Sequence, residues 1–242
     1  VEVRPRDTAL VRADDRGREQ VLAANLAGVL IVTSPREPPF RAGLLDRYLV
    51  AASLGGLEAR VVLNKVDQGV PDDVEAELAL RDEVPVVRTS ATEGSGIDAL
   101  REVIASTEAP WTLVGHSGTG KTSLVAALLP GVDVGAIGHL SEYWGQGRHT
   151  TTGSRWFALA SGGGIVDSPG IRTFAPGRLG AEDVRDYFPG IGPLPCKFRD
   201  CLHRPDEAGC VAPDRIAPPL LASYRRLLEE IERITVPRYP GR

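Results

Sequence analysis

The stretch Gly115-His116-Ser117-Gly118-Thr119-Gly120-Lys121-Thr122 matches the pattern G-x-x-x-x-G-K-[S/T] in full. It follows the apolar run Trp111–Val114, which predicts a strand, and it opens the helical pattern of residues 122–129. A glycine-rich turn in this position aims backbone N–H groups and a helix N-terminus at a phosphate, and the lysine adds positive charge. The stretch therefore predicts a phosphate-binding loop.

A second motif, Asn64-Lys65-Val66-Asp67, directly follows the apolar run 60–63. The Asp67 carboxylate can accept two hydrogen bonds from guanine N1 and N2, a donor pair that adenine lacks. Lys65 is expected to lie along the base, and Asn64 is expected to tie the loop together. The motif therefore predicts a guanine-binding loop.

Ser90 and Ala91 come at the end of the next predicted strand, within residues 85–91. They are expected to offer a backbone N–H to guanine O6. The base-reading residues thus precede the phosphate-binding loop, whereas ordinary GTPases have the reverse order. This order predicts a circularly permuted GTPase domain, because both kinds of loop lie at the carboxyl edge of one sheet and survive a permutation.

Apolar runs of strand length alternate with helical periodicities through the middle of the chain, which predicts an α/β fold with a mostly parallel sheet flanked by helices. Three regions are expected: 1–25 as a linker or the remnant of an N-terminal domain, 26–175 as the permuted P-loop GTPase domain, and 176–242 as a small helical zinc-binding domain. Leu220, Leu221, Tyr224, Leu227, Leu228 and Ile231 mark a closing helix.

Asp167-Ser168-Pro169-Gly170 follows the predicted strand 164–166, so that its carboxylate can reach Mg²⁺ and its glycine N–H a γ-phosphate. Thr122 and Asp167 are the predicted magnesium ligands. The segment 147–152, Gly-Arg-His-Thr-Thr-Thr, suits a switch loop, and the sequence leaves open which threonine binds Mg²⁺. The predicted nucleotide contacts are Asn64, Lys65, Asp67, Ser90, Ala91, Gly115, His116, Ser117, Gly118, Thr119, Gly120, Lys121, Thr122, Ser123, Asp167 and Gly170.

Three cysteines and a histidine cluster late in the chain as Cys196, Cys201, His203 and Cys210. An odd number of closely spaced cysteines beside a histidine favours a metal site over disulfides. Four protein ligands suit tetrahedral Zn²⁺ in a structural role, with no open position for chemistry. The basic residues Lys197, Arg199 and Arg204 surround the ligands, and they suit either a nucleic-acid phosphate backbone or plain solvation.

Composition limits the remaining possibilities. The chain has 242 residues and a net charge of -4, which argues against attraction of the whole protein to nucleic acid but permits a local basic patch. No apolar run reaches the roughly 18 residues of a membrane span, and residues 1–6 lack a signal-peptide core. With its reduced cysteines the chain is expected to be a cytoplasmic protein without membrane contact, and nothing in the sequence indicates an obligate dimer, so a monomer is expected.

Taken together, these motifs resemble the circularly permuted GTPases of the RsgA (YjeQ) family, and residues 46–49, Asp-Arg-Tyr-Leu, also look like that family. The resemblance covers about residues 1–235. It implies GTP and GDP as ligands with Mg²⁺ and one structural Zn²⁺, and the small ribosomal subunit with its rRNA as partner. It further implies a role late in the maturation of that subunit and hydrolysis stimulated by the ribosome.

The sequence departs from the family pattern at two points. Members usually carry an N-terminal OB-fold, of which residues 1–25 hold the last strand at most, so the OB-fold is expected to be largely absent. The spacing between His203 and Cys210 is one residue longer than usual, which a loop should absorb.

Ile171 stands where a Ras-like GTPase has the glutamine that orients the attacking water. Intrinsic hydrolysis is therefore expected to be slow, with His149 in the switch segment as the candidate for that role. The predicted catalytic residues are His149, Lys121, Thr150 and Thr151. Two other functions remain open: a nucleotide-gated binding module with incidental hydrolysis, which Ile171 favours, and a P-loop ATPase, which Asp67 opposes.

Overall fold

A computed structural model describes residues 5–13, 19–131, 155–167, 179–191 and 193–235. The strands are β1 (Ala9–Ala13), β2 (Glu19–Ala24), β3 (Gly28–Thr33), β4 (Glu58–Asn64), β5 (Val86–Thr89), β6 (Trp111–Val114), β7 (Arg155–Ala158) and β8 (Gly164–Asp167). The helices are α1 (Ala42–Leu54), α2 (Asp72–Ala79), α3 (Ile97–Ala105), α4 (Lys121–Leu128), α5 (Ala181–Tyr187), α6 (Ala212–Arg215) and α7 (Pro218–Thr235).

The main sheet of the described residues has the strand order β5-β4-β3-β6-β8-β7. Its neighbours pair in parallel except at the β7–β8 edge, which is antiparallel. The expected mostly parallel α/β sheet is therefore confirmed. β3 lies near the centre, between β4, which precedes the predicted base-reading loop, and β6, which precedes the predicted phosphate loop.

Strand β3 shows why these sequences form a sheet covered on both faces. Its residues Val29 and Ile31 belong to one hydrophobic cluster, and Leu30 and Val32 belong to another. Because successive side chains of a strand point to opposite faces, a continuous apolar run supplies both clusters at once. The first cluster packs α1 onto the sheet, and the second packs α3 and α4 onto the opposite face.

The N-terminal residues form a two-stranded hairpin, β1–β2, outside the main sheet. Leu10 and Leu22 of this hairpin join the same cluster as Leu45 and Leu49 of α1. The hairpin is thus packed against the helix that covers the sheet, and its backbone meets the chain again where Ala9 N–H donates to Gly55 O at 3.1 Å.

The C-terminal helices α5, α6 and α7 share a third cluster, which includes Phe188, Tyr224 and Leu228. Val50 of α1 also belongs to it, so α1 packs against the sheet on one side and against the C-terminal helices on the other. Among the residues that the structure describes, every helix is too short or too polar to cross a lipid bilayer.

Parallel strands bring their carboxyl ends to one edge of the sheet. The loops that follow β3, β4, β5 and β6, together with Asp167 at the end of β8, therefore open on the same side. The predicted nucleotide-binding residues that the structure describes lie in these loops or at the start of α4, whatever their order along the chain.

Candidate functional site

The loop between β6 and α4 curls tightly because three of its residues have positive φ angles: Gly115 (138°), Gly118 (84°) and Gly120 (91°). A Cβ atom on Gly115 would lie 2.2 Å from the Val32 carbonyl oxygen, and one on Gly120 would lie 2.3 Å from Asn64 Nδ2. Both positions therefore require glycine on grounds of space as well as backbone conformation. The tight curl is what turns backbone N–H groups inward.

Lys121 reaches back over this loop. Its ammonium donates to the carbonyl oxygens of Gly115 at 2.8 Å and His116 at 2.7 Å. Thr119 also closes the turn, since its hydroxyl donates to His116 O at 2.9 Å. The charged group is thus held at the mouth of the loop, beside the N-terminus of α4, where an anion is favoured.

Other members of the predicted phosphate site remain accessible. Ser117, Thr122 and Ser123 are exposed on the loop and the first turn of α4. Asp167 ends β8, and Thr112 of β6 holds that strand in place by donating its hydroxyl to Val166 O at 2.8 Å. Thr122 and Asp167 offer the hydroxyl and carboxylate oxygens that Mg²⁺ prefers.

Asn64 joins the predicted base-reading loops to the predicted phosphate loop. It is 1% exposed, and its amide donates to Thr119 O at 3.0 Å. Its carbonyl oxygen accepts from Thr89 Oγ1 at 3.1 Å and from the Ala91 N–H at 3.2 Å. One buried side chain therefore fixes the ends of β4 and β5 and the phosphate loop relative to one another.

Lys65 adopts a left-handed backbone conformation, with φ of 66°, and Asp67 lies exposed in the short 3-10 helix Val66–Gln68 that follows. This turn leaves the Asp67 carboxylate accessible to the edge of a base. Ser90 is fully buried and its hydroxyl accepts the Glu93 N–H at 3.1 Å, which shapes the loop after β5. A guanine oxygen at Ala91 would share or replace the hydrogen bond that its N–H makes with Asn64.

The sequence analysis predicted no role for the loop of residues 34–41, which follows β3. Glu37 O accepts from the Lys65 ammonium at 2.7 Å, and Arg36 Nε donates to Gly69 O at 3.1 Å. Pro38 packs against Gly118, since a Cβ atom added to Gly118 would lie 3.4 Å from Pro38 Cδ. The loop thus contacts both motifs, and its place at the carboxyl end of a buried strand was the signal that could have revealed it.

Four predicted residues, His149, Thr150, Thr151 and Gly170, lie outside the described residues, so the structure gives no geometry for them. The switch segment and the predicted γ-phosphate contact at Gly170 remain expectations from the sequence.

The predicted zinc ligands Cys196, Cys201, His203 and Cys210 come together, with all their ligand atoms within 4.8 Å of one another. His203 Nδ1 lies 3.6, 3.4 and 3.5 Å from the three sulfur atoms in chain order. Tetrahedral Zn²⁺, with Zn–S of about 2.3 Å and Zn–N of about 2.0–2.1 Å, requires sulfur–nitrogen separations of about 3.5 Å. The donor set fits this ion in number, type and spacing.

Burial also affects the protonation of the candidate ligands. Burial raises the pKa of the Cys201 thiol to about 12, and burial lowers the pKa of His203. The imidazole is thereby kept neutral and able to coordinate, whereas ionised thiolates packed this closely need a compensating positive charge. A Zn²⁺ ion at this position would supply that charge and displace the thiol protons.

A second layer of contacts orients the candidate zinc ligands. The Glu207 carboxylate accepts from the N–H groups of Leu202 at 3.1 Å and Arg204 at 2.9 Å, on either side of His203. From α7, the Tyr224 hydroxyl donates to Leu202 O and Arg225 Nε donates to His203 O, both at 2.8 Å. The ligand loop is therefore docked on α7, and this docking holds the imidazole in place.

Comparison with known proteins agrees with this geometry. The model of the RsgA GTPase family matches residues 3–176. The small ribosomal subunit biogenesis GTPase RsgA of Pseudomonas aeruginosa is 41% identical over 236 residues, which cover 93% of this chain and 68% of that protein.

Two solved structures have the same fold. YjeQ from Thermotoga maritima matches with a TM-score of 0.69 at 28% identity, over 92% of this chain and 82% of that one. The circularly permuted GTPase YloQ matches with a TM-score of 0.67 at 23% identity, over 98% of this chain and 76% of that one. At this identity the likeness is one of fold alone. Since the family model covers more than half of its residues, this chain belongs to the RsgA GTPase family and is a GTP-hydrolysing enzyme with a circularly permuted P-loop fold.

Proposed function

We propose that the chain binds GTP at the carboxyl edge of its sheet, hydrolyses it to GDP and phosphate, and acts late in maturation of the small (30S) ribosomal subunit. The observation that carries the nucleotide part is the Asn64 side chain, which ties the base-reading loops to Thr119 of the phosphate loop. The ribosomal part is supported by the name of the Pseudomonas aeruginosa relative.

In this proposal each group has a defined task. Asp67 accepts the guanine N–H donors, while the Lys121 ammonium and the N–H groups of the phosphate loop hold the β- and γ-phosphates. Thr122 and Asp167 would hold Mg²⁺, which when bound neutralises charge on the phosphate oxygens. His149 orients the water that attacks the γ-phosphorus; the bond to the β–γ bridging oxygen breaks, giving GDP, phosphate and a proton.

The C-terminal region supplies a surface suited to RNA. Phe198 is 49% exposed, the Lys197 ammonium lies 5.4 Å from its ring centre, and Arg199 is exposed beside it. Exposed aromatic and basic side chains are the types that stack on unpaired bases and contact phosphates. Arg204 is less available, since its guanidinium pairs with Glu232. We propose that this surface contributes to contact with ribosomal RNA.

The first experiment measures GTP hydrolysis by the chain alone and with purified small ribosomal subunits. We expect slow turnover alone and an acceleration of about a hundredfold or more with subunits, because a partner that orders the catalytic groups of a GTPase can supply more than that. His149→Ala is expected to remove the acceleration while changing the GDP dissociation constant less than about twofold. Stimulated turnover that survives in His149→Ala would show that another group orders the water.

A nucleotide-gated binding module is the second candidate, and Ile171 favours it because the water-orienting glutamine is missing there. The same assay separates the two functions in its single-turnover form. Subunit binding that depends on GTP, without acceleration of hydrolysis, would support the module.

Base preference tests the assignment of Asp67 as the residue that selects guanine. Asp67→Asn is expected to narrow the difference between GTP and ATP affinity by about a hundredfold or more, because the amide presents a donor to guanine N1 and N2. Competition of ATP against a fluorescent guanine nucleotide measures it. Asp72→Asn, at an exposed carboxylate near the same loop, is the matched control and should leave the preference unchanged. Equal competition by ATP and GTP in the unaltered protein would refute guanine specificity.

A further inference from the structure

Helix α1 carries the motif Asp46-Arg47-Tyr48, to which neither the nucleotide contacts nor the zinc centre assigns a role. Its residues face two directions. Leu45, Tyr48 and Leu49 pack into the cluster beneath the sheet, whereas Val50 packs into the C-terminal cluster. α1 therefore separates the two clusters and contacts both.

Tyr48 lies directly under the phosphate loop. Its side chain is 5% exposed and, with His116 and Thr119, lines a small cavity of about 20 Å³ below the loop. A backbone hydrogen bond joins it to Gly115, the first residue of the loop. Gly115 is also confined by the Val32 carbonyl, so the root of the loop is held between a strand and this phenol.

Asp46 turns the other way and is completely buried. Its carboxylate accepts from Arg81 Nε at 2.6 Å and Nη2 at 2.9 Å, and from the Ser223 hydroxyl of α7 at 2.5 Å. Arg81 Nη2 also donates to Ser223 Oγ at 3.2 Å, which closes a three-residue network. All three side chains are at most 2% exposed, so water cannot replace these hydrogen bonds without local opening.

An ion pair at the surface, weaker than the buried network because Glu230 is about half exposed, also joins the two helices. Arg47 Nη2 of α1 lies 2.8 Å from Glu230 Oε1 of α7. Arg47 is thus the third residue of the motif with a defined partner. The C-terminal helix is joined to α1 through consecutive residues 46 and 47, and the phosphate loop is joined to α1 through residue 48.

We propose that Tyr48 is a positioning residue for the phosphate loop, and that Asp46, Arg81 and Ser223 make its position depend on the docking of helix α7. The inference rests on the proposed placement of the nucleotide at residues 115–122. A helical turn is rigid over three consecutive residues, so a shift of α7 moves Tyr48 and the root of the loop with it. Conversely, a nucleotide that fixes the loop favours the docked position of α7, because coupling of this kind is reciprocal.

Tyr48→Phe tests the first step. The change keeps the buried ring and removes only the oxygen that contacts Gly115. GTP and GDP affinity, measured with the full chain and a fluorescent guanine nucleotide in Mg²⁺, is expected to fall about fivefold, the usual value of one hydrogen bond. Thr8→Val is the control, since it keeps the side-chain shape and removes a half-buried hydroxyl that donates to Leu26 O beside the N-terminal hairpin. It should leave nucleotide affinity within about twofold.

Ser223→Ala tests the link to the C-terminal helix and leaves the Asp46–Arg81 pair intact. It is expected to weaken nucleotide binding about two- to threefold alone and to add nothing in the Tyr48→Phe background, because both changes interrupt one connection. Ser53→Ala, at an exposed position of α1, is its control. Melting temperatures of all variants, measured in parallel, separate a loss of affinity from a loss of fold.

The outcomes are distinct. A chain that binds no guanine nucleotide before any substitution would refute the proposed function itself. If the unaltered chain binds and Tyr48→Phe binds equally well, the role of Tyr48 is overturned. If Ser223→Ala leaves the affinity unchanged, or if its effect adds fully to that of Tyr48→Phe, the dependence on α7 is overturned. Non-additive losses with a retained fold support both steps.

Discussion

Replacing Asn64 with alanine is expected to weaken GDP and GTP binding by about a hundredfold or more. The amide makes three buried hydrogen bonds, and its removal leaves Thr119 O, the Thr89 hydroxyl and the Ala91 N–H without that partner. Each buried group left unpaired costs about 1–3 kcal/mol. Because the nucleotide needs the loops in this arrangement, we expect most of that cost to fall on binding, where about 1.4 kcal/mol corresponds to a factor of ten in affinity. Titration with a fluorescent guanine nucleotide measures the loss.

The chain offers a matched control for this substitution. Asn25, in the loop between β2 and β3, also uses both ends of its amide, accepting from the Asp7 N–H at 2.9 Å and donating to Pro5 O at 3.0 Å. Its φ of 56° makes glycine the suitable replacement. Asn25→Gly should leave nucleotide affinity unchanged. An Asn64→Ala variant that keeps its fold and its affinity would show that the two loops are positioned by other contacts.

Loss of the zinc site is expected to unfold the C-terminal region that surrounds it. The ligand loop, residues 196–210, contributes few large apolar side chains to the C-terminal cluster, chiefly Leu202. Structural zinc sites contribute about 10–16 kcal/mol of apparent free energy at neutral pH, comparable to the whole stability of a typical domain. Cys201→Ser is therefore expected to abolish stoichiometric zinc binding and to make residues 193–235 susceptible to proteolysis.

Zinc content by a colorimetric assay and cleavage by a protease of low specificity measure these two effects. Asp200→Asn, at an exposed neighbour of Cys201, should retain zinc and protease resistance. A strong chelator should reproduce the effect of Cys201→Ser on the unaltered chain, and added Zn²⁺ should reverse it. Resistance to protease that persists after complete removal of zinc would contradict a structural role for the ion.

Features that depend on residues close together in the chain could be predicted from the sequence. The run Gly28–Thr33 is apolar throughout because β3 is buried on both faces, and the two nucleotide motifs stand at strand ends because backbone loops there can face a ligand. The four candidate zinc ligands are close in the chain, their residue types alone favour a metal site, and the structure brings their ligand atoms together.

Contacts between distant segments could not be read in this way. Asp46 meets Ser223 across 177 residues, and nothing local to either residue indicates the other. A charged residue at helical spacing is usually solvated, so burial of Asp46 and Arg81 becomes visible only when α1, α2 and α7 are packed together. The 34–41 loop is an intermediate case: its place after the buried strand β3 is visible in the sequence, but its contacts to Lys65 and Gly118 depend on the order of strands in the sheet.

The central place of β3 has a consequence for how the protein is made. β3, β4 and β5 leave the ribosome before β6. Until β6 is made, the side of β3 that will pair with β6 is therefore an open edge of the sheet. That edge stays open to non-native pairing until Trp111–Val114 emerges and closes it. Chain elongation through residues 65–114 therefore sets the interval during which the nascent protein is most exposed to aggregation.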